Sequence, residues 1–312
     1  MSRFAPLLLS ACTAASDVTD VAYGVSGTAT DTVSDVHSET AGPAPTDDTA
    51  SAVEWVDDSD FALDIMSAQR LASGLEPLVL DAELSAGCAA HVDYMVGQGR
   101  VIREEDPAEP GYSLAGAAAG KNGLLAGNMP RTSDAARAWT ASLFHRVLWL
   151  EPGVTRVGLA FRDGYACLDV LSAWTLMERF QPVLYPGRDQ QDVPAEFSPV
   201  TGLNPLPPDL EPPTGVVVSL LFPPEAALGA NFAATLTRAD CAECAPLAAR
   251  LRVPLDPNDP YVEYQRNAVA VIPEAPLSAA TSYEVVITGL VDAVETTRSW
   301  RFTTAVAPAA RP

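Results

Sequence analysis

The chain has 312 residues, 48% of them hydrophobic, enough for two folded domains with sizeable cores. Forty acidic against 19 basic residues leave a net charge of −21, a field that repels phosphate backbones. No basic stripe or stacking-aromatic motif offsets it, so nucleic acid is excluded as a partner.

The N-terminus, "MSRFAPLLLSAC", sets one arginine, a short apolar run and small residues ahead of Cys12. It resembles a bacterial lipoprotein signal, cleaved just before a cysteine that is then acylated; the apolar run is too short to span a bilayer. Residues 1–12 are thus read as a signal peptide ending at the lipidated Cys12, which implies a membrane partner through an N-terminal lipid anchor. Thr13, rather than Asp, after the cysteine implies outer-membrane sorting, facing either the periplasm or the outside. Residues 13–52 are Thr-, Ser-, Asp-, Ala- and Val-rich, with no lysine or arginine between Arg3 and Arg70. Such a stretch cannot offset its ordering entropy and reads as a disordered, self-repelling acidic tether, with His37 inert inside it.

Residues 53–180 form a first globular region. "SDFALDIMSAQRLASG" predicts a helix with Ser59 as its cap and Gly74 as its stop. "DAELSAGCAAHVDYMVGQG" predicts a second, capped by Asp81, with Leu84, Cys88, Val92 and Met95 on one stripe. "SDAARAWTASLFHRVLWL" predicts a third, capped by Ser133, and "VGLAFRDGYACLDVL" reads as two strands around an Asp163–Gly164 turn. Helices followed by a hairpin argue for an α+β domain.

Residues 181–305 begin with a proline-rich lead-in and continue as short apolar or alternating runs: "GVVVSLLF", "FAATLT", "ARLRVPL", "NAVAVI", "SYEVVITGL" and "RSWRFTT". Strands at this spacing predict a small antiparallel, all-β sandwich. Its closing run, "PLSAATSYEVVITGL…SWRFTT", resembles bacterial Ig-like domains of cell-surface proteins. Residues 306–312 read as a disordered tail.

Over residues 60 to 175 the order and spacing of "AQRLASGLEPLVLDAELSAGCAAHVDYM", "EDPAEPGY", "AGKN" and "WTASLFHR…LEPGVTRVGLAF" resemble the CAP superfamily, the cysteine-rich secretory and plant pathogenesis-related proteins. The resemblance implies a three-layer αβα sandwich. In many relatives a cleft lined by two histidines and two glutamates binds a divalent metal, and members are credited with binding lipids, sterols or proteins rather than with one shared reaction. His145, in "SLFHR", matches the last histidine of that tetrad. The first falls on Arg103, one glutamate on Lys121 of "GKN", and the other, three positions after Trp139, on Ser142. One imidazole beside an ammonium and a guanidinium offers one ligand and two repulsive charges, so no metal and no cofactor are expected.

The same substitutions predict a small cationic pocket of Arg103, Lys121 and a protonated His145, with Asn122 and Ser142 at its edge, suited to a carboxylate or phosphate group. Glu104, Glu105, Asp106 and Glu109 are read as solvated or paired with Arg103. His91 is read as a hydrogen-bonded helix-face histidine, Trp139 as core and Asn122 as a loop-holding amide. Setting Cys12 aside leaves an even number of cysteines, suited to an oxidising compartment. Cys241 and Cys244, in "CAEC", read as a loop staple; Cys88 and Cys167 are either a bridge or two buried thiols. The expected whole is a monomeric, lipid-anchored binding or cell-surface interaction module, not an enzyme, for a small anionic ligand or a cell-surface protein or glycan. The alternatives are a hydrolase built on a non-standard site around His145 and a purely structural envelope protein.

Overall fold

The computed structural model describes residues 54–200, 203–241, 243–255 and 259–307. The expected signal with Cys12, the tether of residues 13–52 and residues 308–312 of the expected tail lie outside the described residues.

The first helix, α1 (Ser59–Ala72), begins one residue after its cap position, which is Asp58 and not Ser59. β1 (Val79–Leu80) leads into α2 (Ala82–Gln98), where the Asp81 side chain accepts from Glu83 and Leu84 N–H and Gly99, in the left-handed region at φ 66, ends the helix. The stretch holding "AGKN" is a helix, α3 (Leu114–Asn122), with Ser113 accepting from Gly116 N–H; Lys121 and Asn122 close its last turn rather than standing in a loop. β2 (Gly123–Ala126) follows directly.

The expected single third helix is two. α4 (Thr132–Ala141) starts before Ser133, and α5 (Leu143–Trp149) restarts after a break at Ser142. Ser133 is not the cap: its backbone N–H and its hydroxyl both donate to the Asp58 carboxylate, at 2.7 Å each, so a residue 75 positions upstream caps α4. Burial raises the Asp58 carboxyl, but the Ser133 bonds and Arg131 outweigh it and hold it below the ordinary range. β3 (Arg156–Arg162) and β4 (Tyr165–Asp169) form the predicted hairpin, with Asp163 and Gly164 both at positive φ as a tight two-residue turn requires.

These strands form one four-stranded sheet in the order β1-β3-β4-β2. The period-two alternation of its residues sends them to opposite faces. Leu124, Ala126, Ala166 and Leu168 join a cluster with α1, α4 and α5, while Leu125 and Cys167 join Cys88, Val92 and Met95 of α2. The sheet therefore lies between helices on both sides. The open question over Cys88 and Cys167 resolves as a disulfide, Cα–Cα 5.4 Å, that ties α2 to β4.

The proline-rich lead-in is not merely a connection. It contributes β5 (Val183–Tyr185), β6 (Gln190–Val193), β7 (Glu196–Phe197) and β8 (Thr214–Gly215). After it come β9 (Val218–Leu221), β10 (Ala233–Arg238), β11 (Ala249–Arg252), β12 (Ala268–Pro273), β13 (Ser282–Val291) and β14 (Val294–Thr304). They build two four-stranded sheets, β10-β13-β14-β6 and β11-β12-β9-β5, with β7 and β8 paired apart. Cys241 and Cys244 are joined and staple the loop between β10 and β11.

β9 and β12 are buried along their whole length, so their sheet is covered on both faces. One continuous core runs from the helices into both β sheets. Arg146, buried on α5, fastens the seam. Its Nη1 donates to the carbonyls of Thr140 and Ala141 and its Nη2 to that of Val217, while the guanidinium lies 3.6 Å over the Tyr185 ring. Burial lowers it to about 10, which leaves it a cation at neutral pH. Mixed helix and sheet content, expected from the sequence, is what the structure has.

Candidate binding cleft

The break between α4 and α5 places the site. Ser142 has left the helical region, at φ −72 and ψ 122, and the first turn of α5 carries His145 back over it. Nδ1 of His145 lies 2.9 Å from Ser142 Oγ, and the two residues are 7% and 2% exposed. Burial, and then the charge of Arg103, push the His145 imidazole down to about 4. It is neutral at pH 7. The protonated histidine expected in a cationic pocket is therefore corrected: a fixed cation next door and the loss of water both oppose a second charge there.

Arg103 comes from the segment after α2. Its Nη1 donates to the carbonyls of Gly120, Lys121 and Gly123, at 3.0, 3.4 and 2.9 Å. These belong to the end of α3, where unsatisfied carbonyls and the helix dipole both favour a cation. Arg103 and Lys121 are exposed. Asn122 faces another way: its Nδ2 donates to Ser172 Oγ at 3.0 Å, and its carbonyl accepts from Val170 and Leu171 N–H. The structure thus brings Arg103 into range of the Ser142–His145 pair, attaches Lys121 beside them through its carbonyl, and uses Asn122 to hold the exit of β4. Trp139 is fully buried core, with its indole N–H toward the Leu125 carbonyl.

A divalent cation requires three or four convergent imidazole, thiolate or carboxylate donors. Here one imidazole, already bonded through Nδ1 to a hydroxyl, has a guanidinium for its charged neighbour. Among the described residues no group of three or more His, Cys, Asp and Glu side chains could hold a metal ion. The residues of the cleft do not fit a divalent metal. The Ser142–His145 hydrogen bond has the geometry of a nucleophile and base, but Ser142 is closed to solvent and among the described residues no carboxylate bonds to the ring.

The acidic run after Arg103 corrects a second expectation. Glu105 is neither solvated nor paired with Arg103; its carboxylate lies 2.9 Å from Nδ1 of His91, and both side chains are inaccessible. Nε2 of His91 faces the Ile102 carbonyl at 2.8 Å, while Ser113 N–H donates to the other Glu105 oxygen at 2.9 Å. This lock fixes the segment from Ile102 to Ser113 against α2. A Cβ at Gly120 would collide with the His91 ring, so that glycine, one before Lys121, is needed for close approach. Sequence reading missed Glu105 because it stands in a run of solvated acids, and Arg146 because nothing local marks a partner 71 residues away.

Comparison with known proteins identifies one relationship. Residues 63–175 match the family model CAP, the cysteine-rich secretory protein family, and constitute a CAP superfamily domain. No curated protein and no solved structure matches the chain. No helix among the described residues is long and apolar enough to cross a membrane.

Proposed function

We propose that this protein is an extracytoplasmic binding or interaction module, lipid-anchored through Cys12, whose CAP cleft receives a small anionic group and performs no turnover. In this reading an Ig-like β region is fused to the cleft domain through one core. The reading is carried by one observation: the exposed Arg103 guanidinium, held by three carbonyls, stands beside a neutral His145. A carboxylate or phosphate would meet this fixed cation, with Lys121 exposed in the last turn of the helix whose end Arg103 caps.

The test is titration of the purified full chain with phosphate and with acetate, followed by nuclear magnetic resonance at Arg103, Lys121 and His145, alongside elemental analysis of protein prepared without chelators. Saturable shifts at Arg103 and Lys121, with substoichiometric zinc and copper, support the proposal. Silence at both residues, or one equivalent of metal, overturns it. The hydrolase alternative rests on the Ser142–His145 contact. It predicts that a fluorophosphonate probe labels Ser142 and that Ser142→Ala abolishes labelling; the burial of Ser142 predicts no labelling at all.

A further inference from the structure

A cavity of about 300 Å³ opens at the seam between the helical region and the β sheets, sharing no residue with the His145 cleft. Glu151, just past α5, and Trp174 come from one side; Arg266 and Asn267, just before β12, come from the other, above an apolar wall of Leu221 and Phe222. The frame is firm. Arg70 donates from Nη1 to the Trp149 and Glu151 carbonyls at 2.5 and 3.1 Å. Thr175 N–H donates to the Gly153 carbonyl at 3.1 Å, an approach that only a residue without a Cβ permits, and this seats Trp174. Asn267 is oriented by donating from Nδ2 to the carbonyls of Pro223 and Ala226.

Within that frame the charges are incompletely satisfied. Glu151 Oε1 and Arg266 Nε stand 3.8 Å apart, the outer limit of an ion pair, although the Glu151 side chain is only 14% exposed. Burial pushes the Glu151 carboxyl up, and Arg266 and the Trp174 indole offset this only in part. The Trp174 N–H lies near the carboxylate yet makes no hydrogen bond of good geometry and is itself buried. Arg266 adopts φ 54 and ψ −150, a region that belongs almost solely to glycine. A strained arginine holding a stretched ion pair is poorly explained by that pair alone.

We propose that the cavity binds a small zwitterion, an α-amino acid with an apolar side chain, its ammonium on Glu151, its carboxylate on Arg266 and its side chain against Leu221 and Phe222. A lone anion would meet Glu151 and a lone cation would meet Arg266, whereas a molecule carrying both charges a few bonds apart completes each of them. Its zero net charge also avoids the field of an acidic protein. The size suits such a ligand, being at the lower end of small-molecule pockets.

Isothermal titration of the full chain with L-leucine tests this, with N-acetyl-leucine and leucine amide as probes that each lack one charge. L-leucine should bind saturably, and either probe should bind about tenfold more weakly or worse, the loss expected for one charge-assisted contact. Glu151→Gln and Arg266→Gly should lower leucine affinity by a similar factor. Arg266→Gly should melt no lower than the parent, because glycine accepts this backbone without strain, so a lost signal there reports binding and not misfolding. The proposal is overturned by no saturable leucine heat up to about 10 mM, by equal binding of either probe, or by a folded Arg266→Gly variant with parental affinity.

Discussion

Two buried histidines, on helices covering opposite faces of one sheet, show how partners decide what an imidazole does. His91, on α2, faces a carboxylate and a carbonyl, and these contacts lock the segment that leads to Arg103. His145, on α5, faces a hydroxyl and lies within the field of a guanidinium, so it stays neutral and takes no lock. Two buried rings with different partners have different roles. Among the described residues no carboxylate bonds to His145 to make it a metal ligand or an oriented base, and Glu105, two positions after Arg103, is committed to the other histidine.

The largest expected effect tests the His91 side. Glu105→Ala leaves Nδ1 of the buried His91 and the Ser113 N–H without partners and should cost about 3 kcal/mol by denaturant unfolding; a loss near zero would mean that the lock contributes nothing. Next comes the pH response of the other side. The folded His145 sits near 4 against an ordinary 6.5, so its contribution is complete above about pH 6.5 and is lost as pH falls toward 4. Unfolding midpoints should therefore drop across that window, and His145→Gln should flatten the drop. Ser142→Ala, which removes only the hydroxyl bonded to Nδ1, should cost about 1 kcal/mol. Smallest is Arg103→Gln, about 0.5 kcal/mol through the end of α3; it should also raise the pH at which His145 titrates, read by nuclear magnetic resonance.

Legibility in the sequence followed the range of the interaction. Asp81 announced its helix because cap and helix are adjacent, and Asp163–Gly164 announced the hairpin for the same reason. α4 escaped the same rule because its cap, Asp58, comes from across the chain, and Ser133 looked like a cap while being the donor. α3 was obscured by its glycines, which are present for close packing, Gly120 against His91 and Gly116 against Glu105, rather than for a loop. In the cleft the residue types at 103, 121, 142 and 145 were readable one by one. The neutrality of His145 was not, since it depends on burial and on the proximity of Arg103. The same limit hid Arg146, whose acceptor Val217 becomes a neighbour only when the second region folds onto α5.

The most direct test of the central claim is a two-histidine titration of the full chain by nitrogen–proton resonance, with and without one equivalent of zinc. The account predicts that His145 remains neutral down to about pH 4 and is unmoved by the metal. A His145 that protonates near 6.5, or whose ring nitrogens shift on adding stoichiometric zinc, would contradict it.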